Sequence, residues 1–525
     1  MPGATTYNAA ADLIERSLVA GRGAKTAFID DRGSYSYAEL AERVGRFASV
    51  VRRLGIHPEQ RILLCLHDTI DFPTAFLGAI KAGVVPVAVN TQLTAGEFAF
   101  MIADSRARAV VVSAPMLPIM AAALAELSGA RPEIIVSGAG SEERSLSALL
   151  ATAPAASDTM PTHPDEPCFW LYSSGSTGRP KGTVHVHSSL LQTAELYAIP
   201  VLGITESDVV FSAAKLFFAY GLGNALTFPI AVGATSVLTA ERPSPAAVSR
   251  ILRQYRPTIF CGVPTLYNAM LASPDLPRRK ELALRRCVSA GEPLPQEIGR
   301  RWSAQMGVDI LDGIGSTEML HIFLSNRPGE VRYGTTGKPI PGYQLKVVDE
   351  EGRLVGRGEI GDLLVGGPTS AACYWNNRER CRETFIGAWT RTGDKYFEDQ
   401  DGYYVYCGRS DDMLKVSGMY VSPAEVEAAL IAHEEVLEAA VVGAPDEDGL
   451  IKPKAFVVVK PGIRADEKLV RVLEDHAKGL LAPFKCPRWI TFLDDLPKTA
   501  TGKIQRFKLR EAIAPNERPA QSAPA

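Results

Sequence analysis

The eleven residues Tyr172-Ser173-Ser174-Gly175-Ser176-Thr177-Gly178-Arg179-Pro180-Lys181-Gly182 concentrate three glycines, four aliphatic hydroxyls and two cations. Glycine lets a backbone turn sharply and approach a ligand, and successive N–H groups form an anion-binding nest. The hydroxyls and Lys181 add donors for phosphate oxygens. An apolar run, Phe169-Trp170-Leu171-Tyr172, leads into the stretch and reads as a buried strand. A Walker A loop needs Gly, four residues, then Gly-Lys and a hydroxyl. Here Pro180 precedes Lys181 and Gly182 follows it, so a P-loop kinase is excluded. The stretch holds no G-x-G-x-x-G either, which removes the dinucleotide fingerprint. A phosphate loop of another kind remains, with a polar surface loop as the alternative.

Four further stretches carry the residue types needed where two anions must meet: cations, backbone donors, and carboxylates for a hard cation or a vicinal diol. Asp312-Gly313-Ile314-Gly315-Ser316-Thr317-Glu318 reads as a glycine turn with a hydroxyl and a carboxylate. Ser289-Ala290-Gly291-Glu292-Pro293 ends a strand, and Trp389-Thr390-Arg391-Thr392-Gly393-Asp394 precedes Gly408-Arg409. Near the C-terminus lies Pro497-Lys498-Thr499-Ala500-Thr501-Gly502-Lys503. Singly, each has a plain structural reading: a solvated glutamate, a strand-to-helix glycine, a turn aspartate, a surface lysine.

Together and in this order, the stretches resemble the motifs of the adenylate-forming acyl-CoA synthetase superfamily, from about residue 170 to 503. The resemblance implies ATP, Mg2+ and coenzyme A. It assigns ATP to Ser173, Ser174, Gly175, Ser176, Thr177, Gly178, Lys181, Ala290, Gly291, Glu292, Asp312, Gly313, Ile314, Thr317, Asp394 and Arg409. Within that set Thr317 meets the α-phosphate and Asp394 takes both ribose hydroxyls, while Ile314 stands where the family more often has tyrosine. Glu318 would hold the metal. Lys503 would neutralise charge between the substrate carboxylate and the α-phosphate, so the catalytic set is Lys503, Thr317 and Glu318. His185 and His187, which flank the helix after the glycine-rich loop, receive no role.

The stretch Lys215-Leu216-Phe217-Phe218-Ala219-Tyr220-Gly221-Leu222-Gly223 combines aromatic rings with a glycine hinge, which suits a flat acyl group better than a flexible chain. With Gly315 to Phe323 it is similar to the benzoate-CoA ligases of the superfamily. That likeness implies an acyl pocket lined by Ala219, Tyr220, Gly315, His321, Ile322 and Lys415. The expected reaction joins an aromatic carboxylate to AMP, releasing diphosphate, and then transfers the acyl group to CoA. Benzoate is the expected acid, with 4-hydroxybenzoate or another substituted benzoate as the alternative. The rivals are an adenylation domain feeding a carrier protein, a luciferase-type oxidase, and an ATP-responsive binding protein without catalysis. The last is expected to lack Lys503 or Glu318, and both are present.

The elements that must position these residues are legible as a pattern. At 525 residues the chain has material for two or more domains. Strand candidates Ile62–Leu66, Val84–Val89, Val110–Val112 and Ile134–Val136 alternate with helical spacing, as at Phe72, Ala75, Phe76, Ala79 and Ile80 on one helix face. The alternation resumes at Val209–Ser212, Thr235–Leu238, Thr258–Gly262 and Arg286–Ala290. This predicts an α/β fold whose mostly parallel sheets are covered by helices. After residue 330 the pattern changes to paired short strands (Gln344–Val348, Asp362–Val365, Tyr403–Cys407), a distorted β subdomain. Ser422-Pro423-Ala424-Glu425 then predicts a helix start with a capping box, opening a small α+β unit. We expect a large domain over 1–410, a hinge at Asp411, a small mobile domain over 411–513 and a disordered tail over 514–525. In the superfamily, Gly418 would adjoin the CoA tunnel.

A formal net charge of −3 gives no basic footprint for nucleic acid. Eight cysteines without a CxxC pair read as buried thiols of a cytoplasmic protein, and no histidine spacing suggests zinc. Neither a secretion signal nor an apolar run long enough to span a membrane is present in the sequence. A monomer or homodimer is expected.

Overall fold

The apolar runs become the strands of two large mixed sheets. In a computed structural model, residues 6–129, 131–138, 144–173, 180–410, 412–416, 419–446, 450–498 and 504–513 are described, apart from the side chains of Lys415, Met419 and Tyr420. The expectations for Ser174, Gly175, Ser176, Thr177, Gly178, Asp411, Gly418, Lys503, the Lys415 side chain and the tail fall outside these residues.

One sheet has seven strands in the order Cys373–Tyr374, Lys181–Val186, Pro167–Ser173, Val85–Ala88, Arg61–Cys65, Ala109–Ser113, Glu133–Ser137. From Pro167–Ser173 onward all pairings are parallel. The Pro167–Ser173 strand also pairs antiparallel with Lys181–Val186, Tyr172 opposite Gly182 and Ser173 opposite Lys181. The glycine-rich loop therefore joins the two strands of a hairpin. This corrects the placement of His185: it lies in the second strand, and the helix begins only at His187.

The second sheet has nine strands, parallel from Thr26–Asp30 through Thr235–Val237, Val209–Ser212, Ile259–Gly262 and Arg286–Ser289 to Ile310–Gly315, with antiparallel strands at both edges. Asp312 and Gly313 thus belong to a strand that runs on to Gly315, where the sequence suggested a glycine turn. Helices fill the space between the sheets, and one expectation about them changes. In the helix Asp71–Lys81 every residue from Asp71 to Ile80 is buried, so it has no solvent face. Gly78 permits the close approach of the Tyr37–Arg53 helix, since a Cβ there would lie 2.8 Å from Phe47 Cβ. The buried Asp71 carboxylate is matched by Arg32, Arg43 and Ser137 at 2.7, 2.6 and 2.7 Å, as a carboxylate out of water requires.

A five-stranded antiparallel sheet (Gln344–Val348, Gly361–Gly366, Trp389–Glu398, Phe385–Ile386 and Tyr404–Arg409) carries register shifts at Asp362/Leu364 and Lys395/Tyr396. Beyond it, the strands Val436–Pro445, Ile451–Val459 and Trp489–Phe492 form a separate sheet against the helices Pro423–Ile431, Glu467–Leu480 and Arg506–Ile513. Val426, Leu430, Val441, Val457 and Leu473 close its own core. Ser422 caps the first of these helices by accepting the Glu425 N–H at 3.1 Å. The expected capping box is only half made, because the Glu425 carboxylate bonds Lys485 at 2.7 and 2.8 Å instead. Among the described residues no helix is long and apolar enough to cross a membrane.

Candidate active site

A cleft of about 1410 Å³ opens where the strand ends of the large sheets face the C-terminal unit. Ser173, Lys181, Gly291, Glu292, Asp312, Gly313, Ile314, Thr317, Asp394 and Arg409 all line it, so residues far apart in the chain meet in one space. Gly315 and Glu318 line it too, as do Glu427 and Arg506 from the other side. Ala290 is buried beside the rim.

Each contributor is held by a local device. Gly291 sits at φ +92°, a left-handed turn that lets the chain leave the Arg286–Ser289 strand toward the cleft. Gly393, at φ +77°, leaves room for the Arg409 guanidinium, since a Cβ would fall 2.7 Å from its Nη2. Arg409 in turn donates to Asp394 Oδ1 at 3.2 Å and to the Thr392 carbonyl at 3.1 Å. Leu320 adopts φ +67°, which costs a branched residue about 1 kcal/mol. The bend lets Glu318 face the cleft while His321 turns into the core. Around it, Ser316 Oγ accepts the Met319 N–H at 3.1 Å and the Glu318 carbonyl accepts the Ala371 N–H at 2.7 Å.

Two participants, His185 and Tyr374, carry no sequence signal. His185 Nε2 lies 2.7 Å from the Thr317 carbonyl, and burial pushes the ring down to about 4, so it is neutral and its N–H steadies the Thr317–Glu318 bend. The phenol of Tyr374 donates to Glu318 Oε1 at 2.7 Å. Lys181 Nζ stands 3.4 Å from that phenol oxygen and 4.4 Å from the ring centroid. Burial lowers the Lys181 ammonium from its ordinary value, opposed by the nearby Glu318 charge. Asp312 Oδ1 has no hydrogen-bond partner among the described residues, and burial raises that carboxyl well above the usual range.

Of the residues expected at the acyl group, Ala219, Tyr220, His321 and Ile322 lie on the inner side, and among the described residues of that set only Gly315 lines the cleft itself. Tyr220 spends its hydroxyl on the Gly262 and Val288 carbonyls, at 3.2 and 3.1 Å. His321 is buried with Nε2 at 3.3 Å from the Tyr220 carbonyl, among Tyr197, Tyr220 and Phe228 rings 5.6, 5.7 and 4.5 Å away. Burial pushes it down to about 3, so it is a neutral imidazole. Ile322 is buried in the next strand and Ala219 is partly buried. At the far side of the cleft, Lys498 and Ile504 pair as an antiparallel bridge, and Ile504 lines the cleft.

A cleft lined by the residues expected at a nucleotide, between a two-sheet α/β body and a small α+β unit, defines the class as a nucleotide-using enzyme. The chain belongs to the AMP-binding enzyme family, whose model matches residues 15–375, with the AMP-binding enzyme C-terminal domain over 425–503. It is 64% identical over 508 residues to a benzoate–CoA ligase of Thauera aromatica, covering 96% of both chains. It is 51% identical over 529 residues to a 4-hydroxybenzoate–CoA/benzoate–CoA ligase of Rhodopseudomonas palustris, covering 99% of this chain and 96% of that one. Among solved structures, a benzoate CoA ligase from Burkholderia xenovorans LB400 superposes with a TM-score of 0.91 at 55% identity, over 96% of this chain and all of that one. An anthranilate CoA ligase in complex with anthranoyl-AMP gives 0.92 at 43% identity, over 97% of each chain.

Proposed function

We propose that the chain is an AMP-forming aromatic acid–CoA ligase whose acid is benzoate, with ATP and CoA as co-substrates. The observation that carries this reading is the 64% identity to a benzoate–CoA ligase across 96% of the chain, both parts of the cleft included.

In the first half-reaction a carboxylate oxygen of the acid attacks the α-phosphorus and diphosphate leaves. Ser173, Lys181 and the N–H groups of the glycine-rich loop offset charge on the phosphate oxygens, which grows as the bond forms. Asp394, oriented by Arg409, accepts the ribose hydroxyls, and Asp312 faces the nucleotide from its strand. Lys503 follows Lys498 in a segment that ends at Ile504, on the cleft wall, and neutralises the encounter of carboxylate and phosphate. Among the described residues no group of three or more His, Cys, Asp or Glu could hold a metal. Glu318 fits Mg2+, which commonly takes one carboxylate together with phosphate oxygens and water. When bound, it would neutralise phosphate charge. In the second half-reaction the CoA sulfur attacks the acyl carbon and AMP leaves. We assign the small domain to 411–513, with rotation about Asp411 bringing Gly418 beside the entering thiol.

The acid is read by shape. Tyr220 has committed its hydroxyl to backbone carbonyls and His321 Nε2 faces the Tyr220 carbonyl, while the buried His321 Nδ1 has no partner among the described residues; we read the pocket as apolar, with that one imidazole nitrogen beside the ring and no obligatory hydroxyl bond. An apolar pocket rejects an added hydroxyl by only about 10², whereas a site built to bond one rejects its absence by about 10⁴ or more. We therefore expect kcat/KM for 4-hydroxybenzoate within about 10² of that for benzoate, and hexanoate far below both. Measuring the three acids on one preparation decides it. A 4-hydroxybenzoate preference of about 10⁴ would make the pocket a hydroxyl reader and benzoate the wrong acid.

A further inference from the structure

Tyr374 stands between the two charged side chains that the nucleotide reading requires. It ends the short strand Cys373–Tyr374, and its pairing with Thr183 sets it beside the strand that begins at Lys181. Its N–H reaches Cys381 Sγ at 3.1 Å and its ring packs on Phe385, centroids 5.2 Å apart. A phenol has one proton and two lone pairs. Here the proton goes to Glu318 Oε1 at 2.7 Å, and the oxygen faces Lys181 Nζ at 3.4 Å. Ser173 Oγ meets the same Oε1 at 3.3 Å. Both hydrogen bonds therefore land on one carboxylate oxygen, and among the described residues Oε2 accepts none.

Lys181 and Glu318 carry opposite charges in one half-buried corner, yet no direct ion pair forms between them. Such a pair would neutralise the ammonium meant for phosphate and occupy the carboxylate meant for the cation. We propose that Tyr374 is a positioning residue that keeps them apart, fixing Glu318 through Oε1 so that Oε2 is presented to Mg2+ while Lys181 stays available to phosphate. The proposal rests on the reading of Glu318 as the Mg2+ carboxylate.

The test is binding of a non-hydrolysable ATP analogue by calorimetry across a Mg2+ titration, for wild type, Tyr374→Phe, Glu318→Gln and the double variant. Phe keeps the ring packing on Phe385 and under Lys181 and removes one oxygen. It is expected to raise the Mg2+ concentration for half-maximal binding by about 10-fold, the scale for losing a partner that orients a metal ligand. Glu318→Gln should shift it at least as far, and the double variant no further than Glu318→Gln alone, because Tyr374 acts through that carboxylate. If Glu318→Gln shifts the Mg2+ dependence and Tyr374→Phe does not, Tyr374 is packing only and the proposal is overturned. An additive double variant overturns it as well. If Glu318→Gln leaves the dependence flat, Glu318 is not the metal carboxylate, and the proposal falls together with that reading.

Discussion

Lys503→Ala is expected to slow adenylate formation by about 10²–10³, the scale for removing one group that stabilises transition-state charge. The carboxylate and the α-phosphate are both anionic, and their approach needs a cation between them. Lys181, held over the Tyr374 ring, serves phosphate oxygens rather than the gap between the two anions. Thioester formation from supplied benzoyl-AMP should survive nearly intact, because no second anion must then be brought to phosphorus. Asp411→Pro is expected to give the mirror image, since proline fixes φ at a residue that must change it for the small domain to rotate. Adenylate should still form and CoA transfer should fail. Measuring each half-reaction separately on both variants checks the pair. Equal losses in both half-reactions for Lys503→Ala would remove it from the adenylation step, and normal CoA transfer in Asp411→Pro would put the pivot elsewhere.

Gly221→Ala is expected to lower kcat/KM for benzoate by about 10² or more while binding of an ATP analogue changes little, since a misplacement of about 1 Å costs that much. A Cβ at Gly221 would fall 2.1 Å from the Lys215 carbonyl oxygen and 2.5 Å from that of Ala214. Both are backbone atoms, so no side chain can swing away. Neither can the segment retreat easily. The Leu216 N–H is held by the Asp68 carboxylate at 3.2 and 3.3 Å, and Lys215 Nζ is tied to the Thr239 and Glu241 carbonyls at 2.5 and 2.8 Å. The strain must move Ala219 and Tyr220, and the Tyr220 carbonyl faces His321. Overpacking of this kind also costs about 1–3 kcal/mol of stability, so thermal unfolding should be measured alongside. An unchanged kcat/KM for benzoate would show that this segment does not shape the acyl site.

Much of the nucleotide side was legible because its signals are local. Ser289 to Glu292, Asp312 to Glu318 and Trp389 to Asp394 are short runs, and each sends consecutive residues to the cleft: Gly291 and Glu292, Asp312 to Glu318, and Arg391 to Asp394. The strands of the two large sheets also follow their apolar runs closely, from Arg61–Cys65 to Arg286–Ser289. The first helix of the C-terminal unit starts at Pro423, where Ser422 and the proline say it should. What escaped depends on contacts across the chain. The strand Thr26–Asp30 pairs with Thr235–Val237, some two hundred residues on, and no local pattern encodes that. The Lys181–Val186 strand was hidden because its start lies in the glycine-rich stretch and its alternation is short. His185 meets Thr317, and Tyr374 meets Glu318, only after three separate segments have folded. Glu425 shows the same limit at smaller scale: its sequence position suits a capping box, but Lys485 takes the carboxylate. The acyl side was read by likeness, and its physics lies in burial that sequence does not display. Nothing in its residue type says that Tyr220 spends its hydroxyl on two carbonyls or that His321 is neutral.

The most direct measurement is the identity and ratio of products formed from benzoate, ATP, Mg2+ and CoA by the full chain. AMP, diphosphate and benzoyl-CoA are expected in equal amounts, and with CoA withheld benzoyl-AMP should remain bound without release of ADP. Formation of ADP and phosphate, or of AMP with no thioester when CoA is present, would contradict an AMP-forming acid–CoA ligase.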